Sequence, residues 1–266
     1  MQIERDPSPV ATPTGTFDPH VAVDRGIELA RRAYARLDPA GDDGLGRARV
    51  NVHAGSNSWF NRITRTVSVG IGNSVAKGEA GRLDLLETTI HELTHKWMDT
   101  RAGFGGLLYA GGPGRLSEGL SQVMAGAALV LEGDAGEQAH GWFLLDPRGK
   151  TAPMRSEFGG PTKYVPLSVT MDDVRASGFT FADNGYVHVH SGVIQAAHLD
   201  IARALGMEEM ARITTDAART SLTQLTGFRA WADATLAAAE RRHGAGSSER
   251  QAVRDAWLAA KVLETA

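Results

Sequence analysis

The chain has 266 residues, enough at roughly 150 per domain for one large domain or two small ones. Hydrophobic residues make up 42% and charged residues 22%, an ordinary globular composition, and a chain of this length can bury enough surface to need no disulfide or metal. A net charge of −3 gives no electrostatic reason to expect nucleic acid or an anionic membrane, and the absence of Cys removes disulfide scaffolds, thiolate metal sites and Cys nucleophiles.

Residues 1–18 carry three Pro with several Thr and Ser, and read as a flexible arm without the apolar run of a secretory signal. A lobe over 19–100 follows. Val23, Ile27, Ala30, Tyr34 and Leu37 recur at helical spacing, and Asp38-Pro39 stops that helix. Over 47–72 the period changes to two, with Val50 and Val52, then Val67, Val69 and Ile71, alternating as strands do. A helix over about 84–100 closes this lobe. The remainder, 101–266, reads as mainly α-helical, with helices near 116–132, from the N-cap Ser191 to Gly206, and near 207–219, 227–243 and 248–263. A long stretch over 133–185 reads as irregular. Gly105-Gly106 and Gly111-Gly112 read as loop, because no strand–Gly–helix unit surrounds them as a phosphate cradle requires. The longest charge-free apolar run, Gly119 to Leu131, is too short to span a bilayer. A small strand region followed by a run of helices argues α+β.

Chemistry concentrates in His91-Glu92-Leu93-Thr94-His95, an HExxH sequence within a helical segment. Two His at i and i+4 project from one face, so both Nε2 atoms can reach one metal. At 100° per residue, Leu86, Ile90, Leu93 and Trp97 cluster near roughly 10°, and the two His near roughly 160°. Glu118, in Leu116-Ser117-Glu118-Gly119-Leu120-Ser121-Gln122, is the next plausible ligand, since two His, one Glu and a water make an open tetrahedral site. A lone Glu on a helix more often faces solvent, and its neighbours decide the matter. His20, His53, His140, His198 and His243 lack partner spacing and read as surface or core residues, as Met207, Met210 and Trp231 read as core.

With these motifs the chain resembles the thermolysin-like neutral metallopeptidases. HELTH is followed by SEGLSQ, and Asp183-Asn184-Gly185-Tyr186-Val187-His188-Val189-His190-Ser191-Gly192 is similar to the family's DNG–VH–SG segment. Asn57-Ser58-Trp59-Phe60-Asn61 resembles its substrate-binding edge strand, Met154-Arg155-Ser156 its active-site Arg segment, and Tyr109 falls where the family places a Tyr. The resemblance implies a zincin-like, two-lobed fold, with a reduced strand-containing N-terminal lobe and a mainly α-helical C-terminal lobe.

It also implies an endopeptidase with one zinc on His91, His95 and Glu118, and Glu92 as general base. His188 and Tyr109 would stabilise the oxyanion, Asp183 would hold His188, and Arg155 would bind the substrate carbonyl. Asn57 and Ser58 would pair with an extended peptide. Three departures stand out. Ser117 and Gln122 replace the Asn and Asp that support the ligand histidines. Little of the N-terminal β region is present. Trp142-Phe143-Leu144-Leu145 stands where calcium-binding carboxylates would be, so zinc is expected and calcium is not. The expected partner is a peptide or protein substrate, with no nucleic acid or membrane, and the chain a monomer. The family resemblance implies an extracellular enzyme, with a cytoplasmic or delivered protein as the alternative. Two rival readings are a catalytically impaired, zinc-retaining binding protein and a delivered toxin or effector protease.

Overall fold

The computed structural model describes residues 2–5, 17–38, 43–46, 49–72, 74–101, 110–154, 163–177 and 183–264. The chain divides into two compact units. The first holds Met1–Arg101 with Met124–Trp142, and the second holds Ala102–Val123 with Phe143–Ala266.

In the first unit, helix α1 (Pro19–Leu37) begins where Asp18 accepts the His20 N–H at 2.8 Å and Pro19 supplies a preset first turn. Its apolar stripe, Val23, Ile27, Ala30, Tyr34 and Leu37, is buried throughout. The stripe packs on helix α2 (Glu79–Arg101). Gly26 permits the close approach, because a Cβ there would lie 2.9 Å from Thr89 Cβ. The Tyr34 hydroxyl bonds to Thr94 Oγ1 at 2.7 Å, and its ring stacks on Trp97 at 5.1 Å. Burial pushes the Tyr34 phenol well above its usual range, so it remains a neutral partner.

A four-stranded sheet in the order β1-β2-β4-β3 completes this unit. Strands β2 (Arg49–His53) and β4 (Thr66–Gly70) pair in parallel, and β3 (Trp59–Asn61) runs antiparallel to β4 at the sheet's edge. Val50, Val52, Val67, Val69 and Ile71 are buried, as the alternation requires. The expected flexible arm is corrected at its start: Gln2–Arg5 is strand β1, parallel to β2.

The stretch expected to be irregular is also corrected. It holds α4 (Ala135–Leu145), the hairpin of β5 (Thr151–Met154) and β6 (Lys163–Pro166), α5 (Met171–Ala176), and the start of α6 (Asp183–His190). Glu137 fixes the start of α4. Asp134 and Glu137 exchange backbone-to-carboxylate bonds at 3.0 and 2.9 Å. The same carboxylate takes Arg25 of α1 and Arg82 of α2, each at 3.0 Å. Burial alone would raise the Glu137 carboxyl, and the bonds from Arg25, the Asp134 N–H and Arg82 reverse that, leaving it below its usual range.

Helix α3 (Gly111–Glu132) begins at the Gly111-Gly112 pair expected to lie in a loop. In the second unit α7 (Gly192–Leu205), α8 (Met207–Ser221), α9 (Phe228–His243) and α10 (Ser248–Ala259) pack as successive neighbours, with α10 also against α7. Met207, Met210, Trp231 and Trp257 form their core. Among the described residues no helix is long and apolar enough to cross a membrane.

His198 lies in that core, with Trp231 at 6.3 Å and Trp257 edge-on at 5.6 Å. Its Nδ1–H donates to the Ile194 carbonyl at 2.8 Å, while Nε2 is buried with no hydrogen-bond partner among the described residues. Burial lowers its pKa to about 4, against 6.5 for a free imidazole. The unfolded chain therefore takes up a proton that the folded chain refuses. The stability tied to this neutral ring is intact above about pH 6.5 and falls as the pH drops toward about 4. The melting temperature is expected to decline over that interval, and to decline less steeply in His198→Phe. An equal slope in both proteins, measured by circular dichroism, would place the acid sensitivity elsewhere.

Candidate functional site

Helix α2 sorts its side chains as the angular arithmetic requires. Leu86, Ile90, Leu93 and Trp97 are buried, and His91 and His95 are half-buried on another face. Thr94, held by Tyr34 and by its own bond to the Ile90 carbonyl at 2.9 Å, fixes the rotation of the helix. The rings of His91 and His95 meet edge to face at 4.8 Å, with their Nε2 atoms 3.1 Å apart. Two imidazole nitrogens this close share either a proton or a cation. Tetrahedral zinc with bonds of about 2.0–2.1 Å would set two nitrogens about 3.3 Å apart, so this pair fits the metal. Glu92 lies between them on the same helix and is buried.

In the second unit Glu118 is buried on α3, one residue before a glycine that lets α7 approach closely: a Cβ at Gly119 would lie 2.6 Å from Ile194 Cβ. His188 of α6 brings Nε2 to 3.6 Å from Glu118 Oε2. Its Nδ1 lies 2.6 Å from Asp183 Oδ1, and its backbone N–H donates to Asp183 Oδ2 at 3.1 Å. The carboxylate is thus a two-point clamp on one histidine, buried itself while the His188 side chain is 38% exposed. With Nδ1 so engaged, Nε2 is the ring nitrogen that faces Glu118.

The clamp depends on an unusual backbone. Asp183, Asn184, Gly185 and Tyr186 have φ of 51°, 50°, 85° and 61°, a left-handed turn at the head of α6. Left-handed backbone costs roughly 1–2 kcal/mol per non-glycine residue, less for Asp and Asn than for Tyr. Arg115 of α3 donates to the Gly185 carbonyl from Nε at 3.1 Å and Nη2 at 2.7 Å. Sequence reasoning missed this residue, since an Arg one turn before Glu118 reads as a solvated side chain.

Behind the turn, His190 Nε2 lies 2.8 Å from Ser177 Oγ, which itself donates to the Val174 carbonyl. Burial, aided by the Arg115 charge and opposed by Asp183, lowers the His190 pKa to about 4. Ser191 does not cap α7 with its side chain as expected; its hydroxyl donates to the His188 carbonyl at 2.7 Å. Ser117 is buried and Gln122 half-buried, both on α3. Asn57 is exposed, and Ser58 accepts the Gly70 N–H at 3.0 Å beside the edge strand β3. Tyr109 and Arg155 lie outside the described residues. Of the other histidines, His53 accepts the Gly55 N–H, and His243 pairs with Glu209 on another helix. His140 lies 3.5 Å from Glu87, and with Asp84 these form a second group of metal-ligating types. Asp84 in that group is already ion-paired with Lys77 at 2.9 Å.

Residues 105–262 match the family described as thermolysin metallopeptidase, alpha-helical domain. The chain belongs to the thermolysin metallopeptidase family. The match begins after α2, so the HExxH helix precedes it. Neutral protease B of Bacillus subtilis (strain 168) is 26% identical over 228 residues, covering 84% of this chain. The chain spans 40% of the length of that relative. The family is one of metallopeptidases and implies zinc; the chain itself has a mainly helical C-terminal part and a small strand-containing part.

Proposed function

We propose that this domain is a zinc-dependent endopeptidase, with His91, His95 and Glu118 holding one metal ion. The observation that carries the reading is the pair of Nε2 atoms 3.1 Å apart on an HExxH helix in a chain of this family. Bound zinc supplies Lewis-acid polarisation of a carbonyl and lowers the pKa of a water molecule toward about 7. The side chains then divide the remaining work. Glu92 accepts a proton from the attacking water and delivers it to the leaving amine. His188, with Nδ1 held by Asp183, directs Nε2–H at the oxyanion as the carbonyl becomes tetrahedral. Tyr109 would be the companion donor and Arg155 the ligand of the substrate carbonyl, both on the family resemblance. An extended peptide would add to the exposed edge strand β3, beside Asn57 and Ser58.

Purified protein is expected to cleave casein, to lose that activity to a zinc chelator, and to regain it with added zinc. Metal analysis should find about one zinc per chain, and Glu118→Ala should lose most of it, because two neutral imidazoles remain without the anionic ligand. Full zinc retention in that variant would overturn the ligand assignment. Zinc without hydrolysis would favour the binding-protein reading, for which Ser117 and Gln122 are the motive.

A further inference from the structure

We infer that Arg115 is a positioning residue, which holds the left-handed Asp183–Tyr186 turn so that His188 keeps its alignment beside Glu118. The inference rests on the catalytic reading above only for its effect on turnover.

The geometry runs in one connected path through the second unit. Arg115 and Glu118 share helix α3, separated by a single turn. From that helix, the guanidinium places two donors, Nε and Nη2, on one acceptor, the Gly185 carbonyl, at 3.1 and 2.7 Å. Gly185 is the third of four consecutive left-handed residues. The turn reverses the chain so that Asp183 reaches both the N–H and the Nδ1 of His188, five residues later. His188 Nε2 then lies 3.6 Å from Glu118, back on the helix that carries Arg115.

Three of the four turn residues carry a Cβ, and Tyr186 is the one least suited to positive φ. Such a backbone persists only where the surroundings over-determine it. The planar fork of Arg suits that task, since two donors on one oxygen fix direction as well as distance. Burial lowers the Arg115 pKa, yet the group stays charged, and a charged donor strengthens both bonds. A solvated surface role would give neither the burial nor the paired aim at one main-chain carbonyl.

The test uses Arg115→Met, Arg115→Lys and the double variant Arg115→Met/Tyr186→Gly, all zinc-loaded. Displacing a transition-state donor by about 1 Å can cost on the order of 10²-fold, so Arg115→Met should lower kcat about 10- to 100-fold. KM should stay within about twofold, and zinc content should be unchanged. Arg115→Lys keeps one charged donor and should recover part of the loss. Tyr186→Gly should recover part by another route, because glycine adopts positive φ without the steric cost. In a His188→Ala background Arg115→Met should cost little more, since it acts through His188.

A second readout needs no turnover. The proton shared between His188 Nδ1 and Asp183 at 2.6 Å should give a far-downfield NMR resonance. That resonance should shift or vanish in Arg115→Met and return in Arg115→Lys. An unmoved resonance with unchanged kcat would overturn the inference, as would a loss confined to KM. A resonance that moves while His188→Ala retains full kcat would keep Arg115 as the anchor and overturn the catalytic reading of His188 instead. If Arg115→Met does not fold, Arg115→Lys and the double variant decide the same question.

Discussion

Glu92→Gln is expected to keep the fold and the zinc while lowering peptide hydrolysis by about 10²–10⁴. The carboxylate and the amide share shape and helix propensity, so α2 should remain docked on α1 through Tyr34, Thr94 and Trp97. Neither His91 nor His95 changes, so the paired Nε2 atoms keep their separation. The difference is chemical: an amide oxygen is too weak a base to take the proton of the attacking water, and no acid is then available for the leaving amine. Both halves of the proposed proton transfer should therefore fail together. The comparison to make is kcat and KM on a peptide substrate, with zinc content measured on the same preparation. Near-normal turnover in a zinc-loaded variant would assign the proton transfer to another group. Lost zinc would instead show that Glu92 supports the ligands rather than the water.

Much of the α2 face was legible in the sequence because its determinants are local. A helical period fixes which side of HELTH meets the core, and Leu86, Ile90, Leu93 and Trp97 are buried while the two His are not. The alternation of Val50, Val52, Val67 and Val69 identified strands for the same reason. Strand β1 was hidden, because Gln2–Arg5 contains one apolar residue and owes its extended form to β2, more than forty residues later. Helices α4 and α5 carried a readable signal that composition obscured. Asp134 with Glu137, and Thr170 with Asp173, stand at capping-box spacing, and both boxes form. Gly111-Gly112 reads as loop, yet Gly111 supplies a positive φ of 58° at the start of α3, a backbone that glycine adopts without steric cost.

The site itself divides along the same line. Asp183 and His188 stand five residues apart, and their motif was visible; the left-handed turn that joins them was not, since only Asn184-Gly185 signals positive φ and Tyr186 argues against it. Arg115 lies 70 residues from the carbonyl it holds, and no pattern in α3 distinguishes it from a solvated arginine. Local chemistry can be read from spacing, whereas a backbone held in strain from a distant helix requires the fold.

His188→Ala should lower kcat by about 10²–10³ while changing KM by no more than a few-fold. The size of the effect depends on when the bond forms. A substrate carbonyl offers little charge to a donor at Nε2 and a tetrahedral oxyanion a full one, so on the proposed role the contact would stabilise the transition state selectively. The variant should fold, because the His188 side chain is 38% exposed and its truncation leaves no sealed cavity. Asp183 is not stranded either: its Oδ2 still accepts the backbone N–H of residue 188 at 3.1 Å. The loss should therefore appear in steady-state kinetics without a matching fall in melting temperature. A rise in KM alone would make His188 a substrate-binding residue. An unchanged kcat would leave the oxyanion to other donors, and Asp183 would then serve the turn rather than the reaction.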